Sequence, residues 1–174
     1  MPARQPLDVK KLEATLTAVT LPFGLTLDEV TIQGQGIHLD SDPFEFSLKK
    51  PGKLEVTVST ASVSAFLNLK APSAIKDFDV AIDDGRLLVK ASAKIVVTIK
   101  VVAECALEIV DKRQLFVRLK SVGKLGSAVH KLVQKQLDEI NPVLDVKDLP
   151  LSSSLETIKL EHGNIIIVGA IKGL

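Results

Sequence analysis

Residues 87–109 read LLVKASAKIVVTIKVVAECALEI, and every odd-numbered position among them is apolar. These positions are Leu87, Val89, Ala91, Ala93, Ile95, Val97, Ile99, Val101, Ala103, Cys105, Leu107 and Ile109, and the even positions include Lys90, Ser92, Lys94, Thr98, Lys100, Glu104 and Glu108. Residues two apart share one face of a strand, whereas on a helix they scatter around the circumference at steps of about 200°. The run is therefore β structure. A single strand of that length would extend roughly 75 Å at about 3.3 Å per residue, while a compact chain of this size has a radius of gyration of only about 16 Å. The strand must bend, coil or step from one sheet region to another. No Gly or Pro between Arg86 and Val122 marks a corner. Small residues such as Ala91, Ser92 and Ala93, or Ala103 to Ala106, would permit one. The pattern predicts a long, strongly twisted sheet with its aliphatic side curled inward.

Working outward, DFDVAID (77–83) alternates Phe78, Val80 and Ile82 against aspartates, and Asp84-Gly85 is a hairpin signal because glycine accepts the positive φ such turns need. Asp111-Lys112-Arg113 predicts the next reversal, and QLFVRLKSV (114–122) returns, so the block reads as an antiparallel meander. After Gly123 the period changes. Leu125, Val129, Leu132, Val133, Leu137 and Ile140 recur at three- and four-residue steps, predicting an amphipathic helix over 124–140 that Asn141-Pro142 ends. This helix is expected to lie in the curve of the sheet. The tail predicts two strands joined at His162-Gly163-Asn164.

Upstream, DEVTIQ and GIHLD flank Gly34 and Gly36 as a predicted hairpin, and FEFSL and KLEVTVS flank a Pro51-Gly52 turn. Ser59 or Thr60 is placed to cap a short helix running to about Leu69. Residues 1–20 suit either period: Val9, Leu12, Leu16 and Val19 make a helical stripe, whereas ATLTAVTL also suits a strand.

The chain has 174 residues and a net charge of +1, so a single domain over 1–174 is expected. The neutral balance and the absence of Trp and Tyr argue against a nucleic-acid partner, which requires clustered basic residues and rings for bases to stack on. Cys105 is the single cysteine and lies on the apolar parity, so it is read as a core residue rather than a nucleophile. The start lacks an apolar secretory segment and nothing reaches the length of a membrane span, which predicts a cytoplasmic or membrane-peripheral protein, or one of the cell envelope if a signal segment has been removed.

No catalytic constellation emerges. His38, His130 and His162 fall on different predicted elements without metal-ligand spacing, SVGKLGSA lacks the phosphate-loop pattern, and Ser152–Ser154 lack a nucleophile elbow. No cofactor or metal is expected. At this point a filled aliphatic core accounts for the same residues as a hollow one and is the plainer reading of the periodicity.

The order of elements adds a resemblance. VTVSTASVSAFLN (56–68) with its Phe66-Leu67-Asn68 element, the Asp83–Leu87 turn, Leu149-Pro150 and the final hairpin from His162 to Gly169 resemble the LmeA-like phospholipid-binding family over most of residues 20–172. That family resembles half of a TULIP-type module, in which a curved antiparallel sheet wraps a helix and acyl chains lie in the groove. The resemblance implies an α+β fold, phospholipid or fatty acyl binding without catalysis, and association with bacterial envelopes or membranes. The candidate lining is then Leu87, Val89, Ile95, Val97, Ile99, Val101, Leu107 and Ile109 of the sheet, with Val129, Leu132, Val133 and Leu137 of the helix opposite. Lys124, Lys131 and Lys135 are candidates for peripheral contact with anionic headgroups, against the plainer reading of a solvated helix face. The rival function is a structural or scaffolding protein-interaction module with a dry core, whose sheet edges pair with another chain, a homo-oligomer being one form of this; an enzyme is a third class without a visible site.

Overall fold

The computed structural model describes residues 6–41, 44–94, 96–123, 126–149 and 151–173. In chain order the strands and helices are β1 (Leu7–Thr20), β2 (Thr26–Ser41), β3 (Phe44–Ser59), α1 (Thr60–Lys70), β4 (Ile75–Asp83), β5 (Arg86–Lys94), β6 (Thr98–Val110), β7 (Gln114–Val122), α2 (Gly126–Ile140), β8 (Leu144–Asp145), β9 (Ser152–Glu161) and β10 (Asn164–Gly173). They form an α+β fold of two five-stranded antiparallel sheets, one ordered β1-β2-β3-β10-β9 and the other β4-β5-β6-β7-β8. The second sheet curls into a half-barrel, as expected of the TULIP-like class. Residues 1–20, which suited either period, form a strand from Leu7 onward.

The 87–109 run is not one curved ribbon. It turns back on itself: β5 pairs antiparallel with β6 from Leu87↔Cys105 to Lys94↔Thr98. In this register odd residues face odd residues, as in Val89↔Ala103 and Ala91↔Val101. The apolar parity therefore passes through the reversal intact, and both strands present their aliphatic side to the same face. A hairpin resolves the length problem, and the sequence concealed it because the turn holds no Gly, Asn or Asp.

Two other predicted turns are also corrected. Gly34 and Gly36 lie inside the continuous β2, and Pro51-Gly52 lies inside the continuous β3. The glycines mark a place where the two paired strands bend together, with the register slipping between Gln33 and Ile37. A Cβ on Gly52 would lie 2.5 Å from the Gln33 carbonyl oxygen, and one on Gly34 would lie 2.8 Å from Leu48 Cδ2. Close backbone approach, rather than chain reversal, is what these glycines supply. Where the sequence carries true turn chemistry the expected reversals occur: Asp84-Gly85, Asp111-Lys112 and His162-Gly163 all take positive φ.

Two asparagines fasten the helices to the half-barrel. Near the end of α1, Asn68 Nδ2 donates to the Phe78 carbonyl and Asn68 Oδ1 accepts from the Phe78 N–H, both at 2.8 Å. Phe78 lies at a bulge in the edge strand β4, where Ser64 Oγ also accepts the Val80 N–H at 2.8 Å. At the other side of the sheet, Asn141 follows α2 and repeats the device: its Oδ1 accepts the Val117 N–H at 2.8 Å and its Nδ2 donates to the Val117 carbonyl at 2.9 Å. Each amide stands in for a neighbouring strand, satisfying edge groups that are costly to leave unpaired. Replacing Asn141 by Ala is expected to cost about 1–3 kcal/mol, lowering Tm by roughly 5 °C in a thermal melt.

The start of α1 is tied down as well. Ser59 caps it by accepting the Ser62 N–H at 3.1 Å, while the Asp28 carboxylate accepts from the Ser59 N–H at 2.6 Å and from Ser62 Oγ at 3.1 Å. Phe66 of α1 packs edge-on against Phe23, with ring centroids 5.9 Å apart.

Candidate functional site

The inner face of the half-barrel is built by the alternation of its strands. Val80 and Ile82 of β4 stand opposite Val89 and Leu87 of β5, and Cys105 and Leu107 of β6 stand opposite Leu119 and Val117 of β7. Across from this face lie α1 and α2, and the first sheet closes the remaining side. Buried apolar residues there fall into two clusters, a large one joining both sheets and a small one of Ile75, Ala93, Val101 and Val129. Both clusters border a cavity of about 130 Å³, set in a groove whose unfilled space, including its open mouth, is about 1290 Å³.

Its walls are aliphatic and aromatic. Ala91, Ala93 and Ala103 form part of the sheet side, and these short side chains leave room that Leu or Ile would fill. Among the described residues, the polar side chains on the wall besides the Cys105 thiol are Lys70 and Gln136, which both keep contact with solvent. Burial pushes the Cys105 thiol up to about 11, helped by the neighbouring Glu104 charge. A thiol held protonated in this way is a poor nucleophile at neutral pH. The rate of Cys105 alkylation in the folded protein is expected to climb with pH up to about 11, following the thiolate fraction. The same shift makes stability fall as pH rises from about 9 towards that value, since only the unfolded chain ionises there. Iodoacetamide kinetics and urea titrations across this range check both. Among the described residues no group of three or more His, Cys, Asp or Glu is placed to hold a metal ion.

Of the residues singled out from sequence, Leu87, Val89, Val101, Leu107, Val133 and Leu137 line the cavity. Ile99, Val129 and Leu132 pack together at one end, in or against the smaller cluster, and Ile109 packs against the larger one. Val97 is corrected: it is 66% exposed beside the β5–β6 turn, because the chain reverses where a straight strand would have carried it inward. Ile95 and Lys124 lie outside the described residues. Lys131 and Lys135 are exposed on α2, where Lys135 Nζ lies 4.0 Å from Glu139.

Sequence reasoning missed the other walls. Val63, Phe66 and Leu67 of α1 line the cavity, as do Leu27, Val58, Ile165 and Ile167 of the first sheet. The alternation of Val56 with Val58 and of Ile165 with Ile167 was visible, but alternation does not say which sheet a face will meet.

No helix among the described residues is long and apolar enough to cross a membrane. No curated protein and no solved structure matches the chain. A family model described as LmeA-like phospholipid-binding does match, over residues 9–170. With nearly the whole chain covered, from β1 to β10, the protein belongs to the LmeA-like phospholipid-binding family.

Proposed function

We propose that the chain is a single non-catalytic lipid-binding unit that holds an acyl chain of a phospholipid or fatty acid in the cavity between the half-barrel and its two helices. The observation that carries this reading is the mismatch between room and polarity. A cavity of about 130 Å³ admits several waters, each of which needs two to four polar partners. Among the described residues, the polar side chains on the wall are those of Lys70, Gln136 and Cys105. An alkyl chain is the occupant such a surface favours, and Lys70 at the rim suits an anionic headgroup. Leu87, Val89, Val101, Leu107, Val133 and Leu137 are the contacts proposed for it.

The energetics suit a carrier. Burying a methylene contributes about 0.8 kcal/mol, so a 16-carbon chain gains roughly 12 kcal/mol on leaving water. Leaving a bilayer costs nearly the same, so loading and unloading at a membrane are close to balanced. No reacting group is required.

Native mass spectrometry of the purified protein, followed by organic extraction, tests the reading. A phospholipid or fatty acid co-purifying near one per chain is the expected result. A clean apoprotein that also refuses a fluorescent fatty acid would falsify it, and a ligand-free dimer would favour the scaffolding alternative.

A further inference from the structure

Among the described residues, three hairpin turns are polar at their tips. The reversals at Asp84-Gly85, Asp111-Lys112-Arg113 and His162-Gly163 expose charged or small residues. The β5–β6 tip instead exposes Val96, at 90%, and Val97, at 66%. Two adjacent valines held in water at the end of a hairpin contribute nothing to the core, and β-branched residues are poor turn formers.

The surroundings of this tip are basic. On the outer face of the sheet, Lys76, Ser92 and Lys100 form one rung across β4, β5 and β6, and Lys94 stands opposite Thr98 on the rung nearest the tip. Lys76, Lys94 and Lys100 are exposed, and among the described residues none forms an ion pair. The carboxylates of this region, Asp77 and Asp79, lie on β4, with Asp79 opposite Lys90.

The tip also stands at one end of the cavity. Ala93 and Val101, a few residues from the valines, line its wall, and Lys94 N–H donates to the Ala74 carbonyl in the loop following α1 at 2.8 Å. Ala71 and Pro72 of that loop line the wall too.

We infer that the β5–β6 tip is a membrane-docking wedge: Val96 and Val97 enter the interfacial region of an anionic bilayer while Lys76, Lys94 and Lys100 contact its headgroups. Apolar side chains flanked by lysines match the two layers of such a surface, acyl below and anionic above. Two valines and three lysines give weak, reversible attachment, which is what a carrier that must leave again requires. The inference rests on the proposed lipid-binding function for its purpose, but not for its test.

Flotation with vesicles separates the two. The wild type is expected to float with phosphatidylcholine vesicles containing phosphatidylglycerol, to float poorly with phosphatidylcholine alone, and to detach as salt is raised. V96D/V97D and K94E/K100E should each weaken flotation by roughly tenfold or more, at about tenfold per 1.4 kcal/mol. Both variants should still bind a pyrene-labelled fatty acid in solution as the wild type does. Variants that float like the wild type overturn the wedge, as does a wild type that binds the fatty acid but no vesicle. A dimer that V96D/V97D dissolves, without flotation, would assign the tip to a second copy instead. Loss of fatty-acid binding with flotation intact would count against the cavity and leave the wedge standing.

Discussion

The double variant A91F/A103F is expected to keep its fold and lose its ligand. Ala91 and Ala103 lie diagonally on neighbouring strands, two rungs apart on the same face, and both line the cavity. Phenylalanine at each would occupy space now unfilled and turn the hollow into an ordinary core. In a core that is already full, such enlargements cost about 1–3 kcal/mol each, which would lower Tm by roughly 5–15 °C. Here Tm should hold or rise. Binding should suffer far more, because excluding even four methylenes forfeits about 3 kcal/mol, more than roughly a hundredfold in Kd. Calorimetry paired with fatty-acid titration reads both quantities. A large drop in Tm would show the alanines face a packed wall, and unchanged affinity would place the ligand elsewhere.

The second large effect concerns where the molecule is truly solid. Leu155 is fully buried, and its N–H donates to the Lys112 carbonyl at 2.7 Å, tying β9 of the first sheet to the β6–β7 turn of the second. Leu155→Ala removes packing from a site crowded on every side and is expected to cost about 3–5 kcal/mol, a fall in Tm near 10 °C. Val89→Ala offers the contrast. Its side chain faces the cavity, where some partner atoms are already missing, so the loss should stay below about 1.5 kcal/mol. Chemical denaturation of the pair measures the difference. Equal costs at the two positions would mean that the space beside Val89 is filled.

These expectations rest on features that the sequence disclosed unevenly. Period-two alternation fixed the face of β4 to β7 correctly, and the change to three- and four-residue steps located α2 to within two residues of Gly126. Turns made with Asp-Gly, Asp-Lys or His-Gly were legible because positive φ demands those residues. The β5–β6 turn was not, since valines at a reversal break the usual chemistry and imitate a continuing strand. Gly34 and Gly52 misled for the opposite reason: glycine signals reversal and close approach alike, and only the neighbouring strand tells them apart. For the site, the sheet and α2 sides could be read from parity. The contributions of α1, β2, β3 and β10 depend on which faces meet in space, which no local pattern encodes.

The β5–β6 hairpin carries a consequence for how this protein can vary. Since odd residues pair with odd across it, a slip of one residue in that register would turn one whole flank inside out, putting lysines indoors and valines in water. A residue gained or lost at the tip is harmless only while Lys94 stays opposite Thr98. Relatives should therefore vary in the length of the tip and keep the pairing beside it.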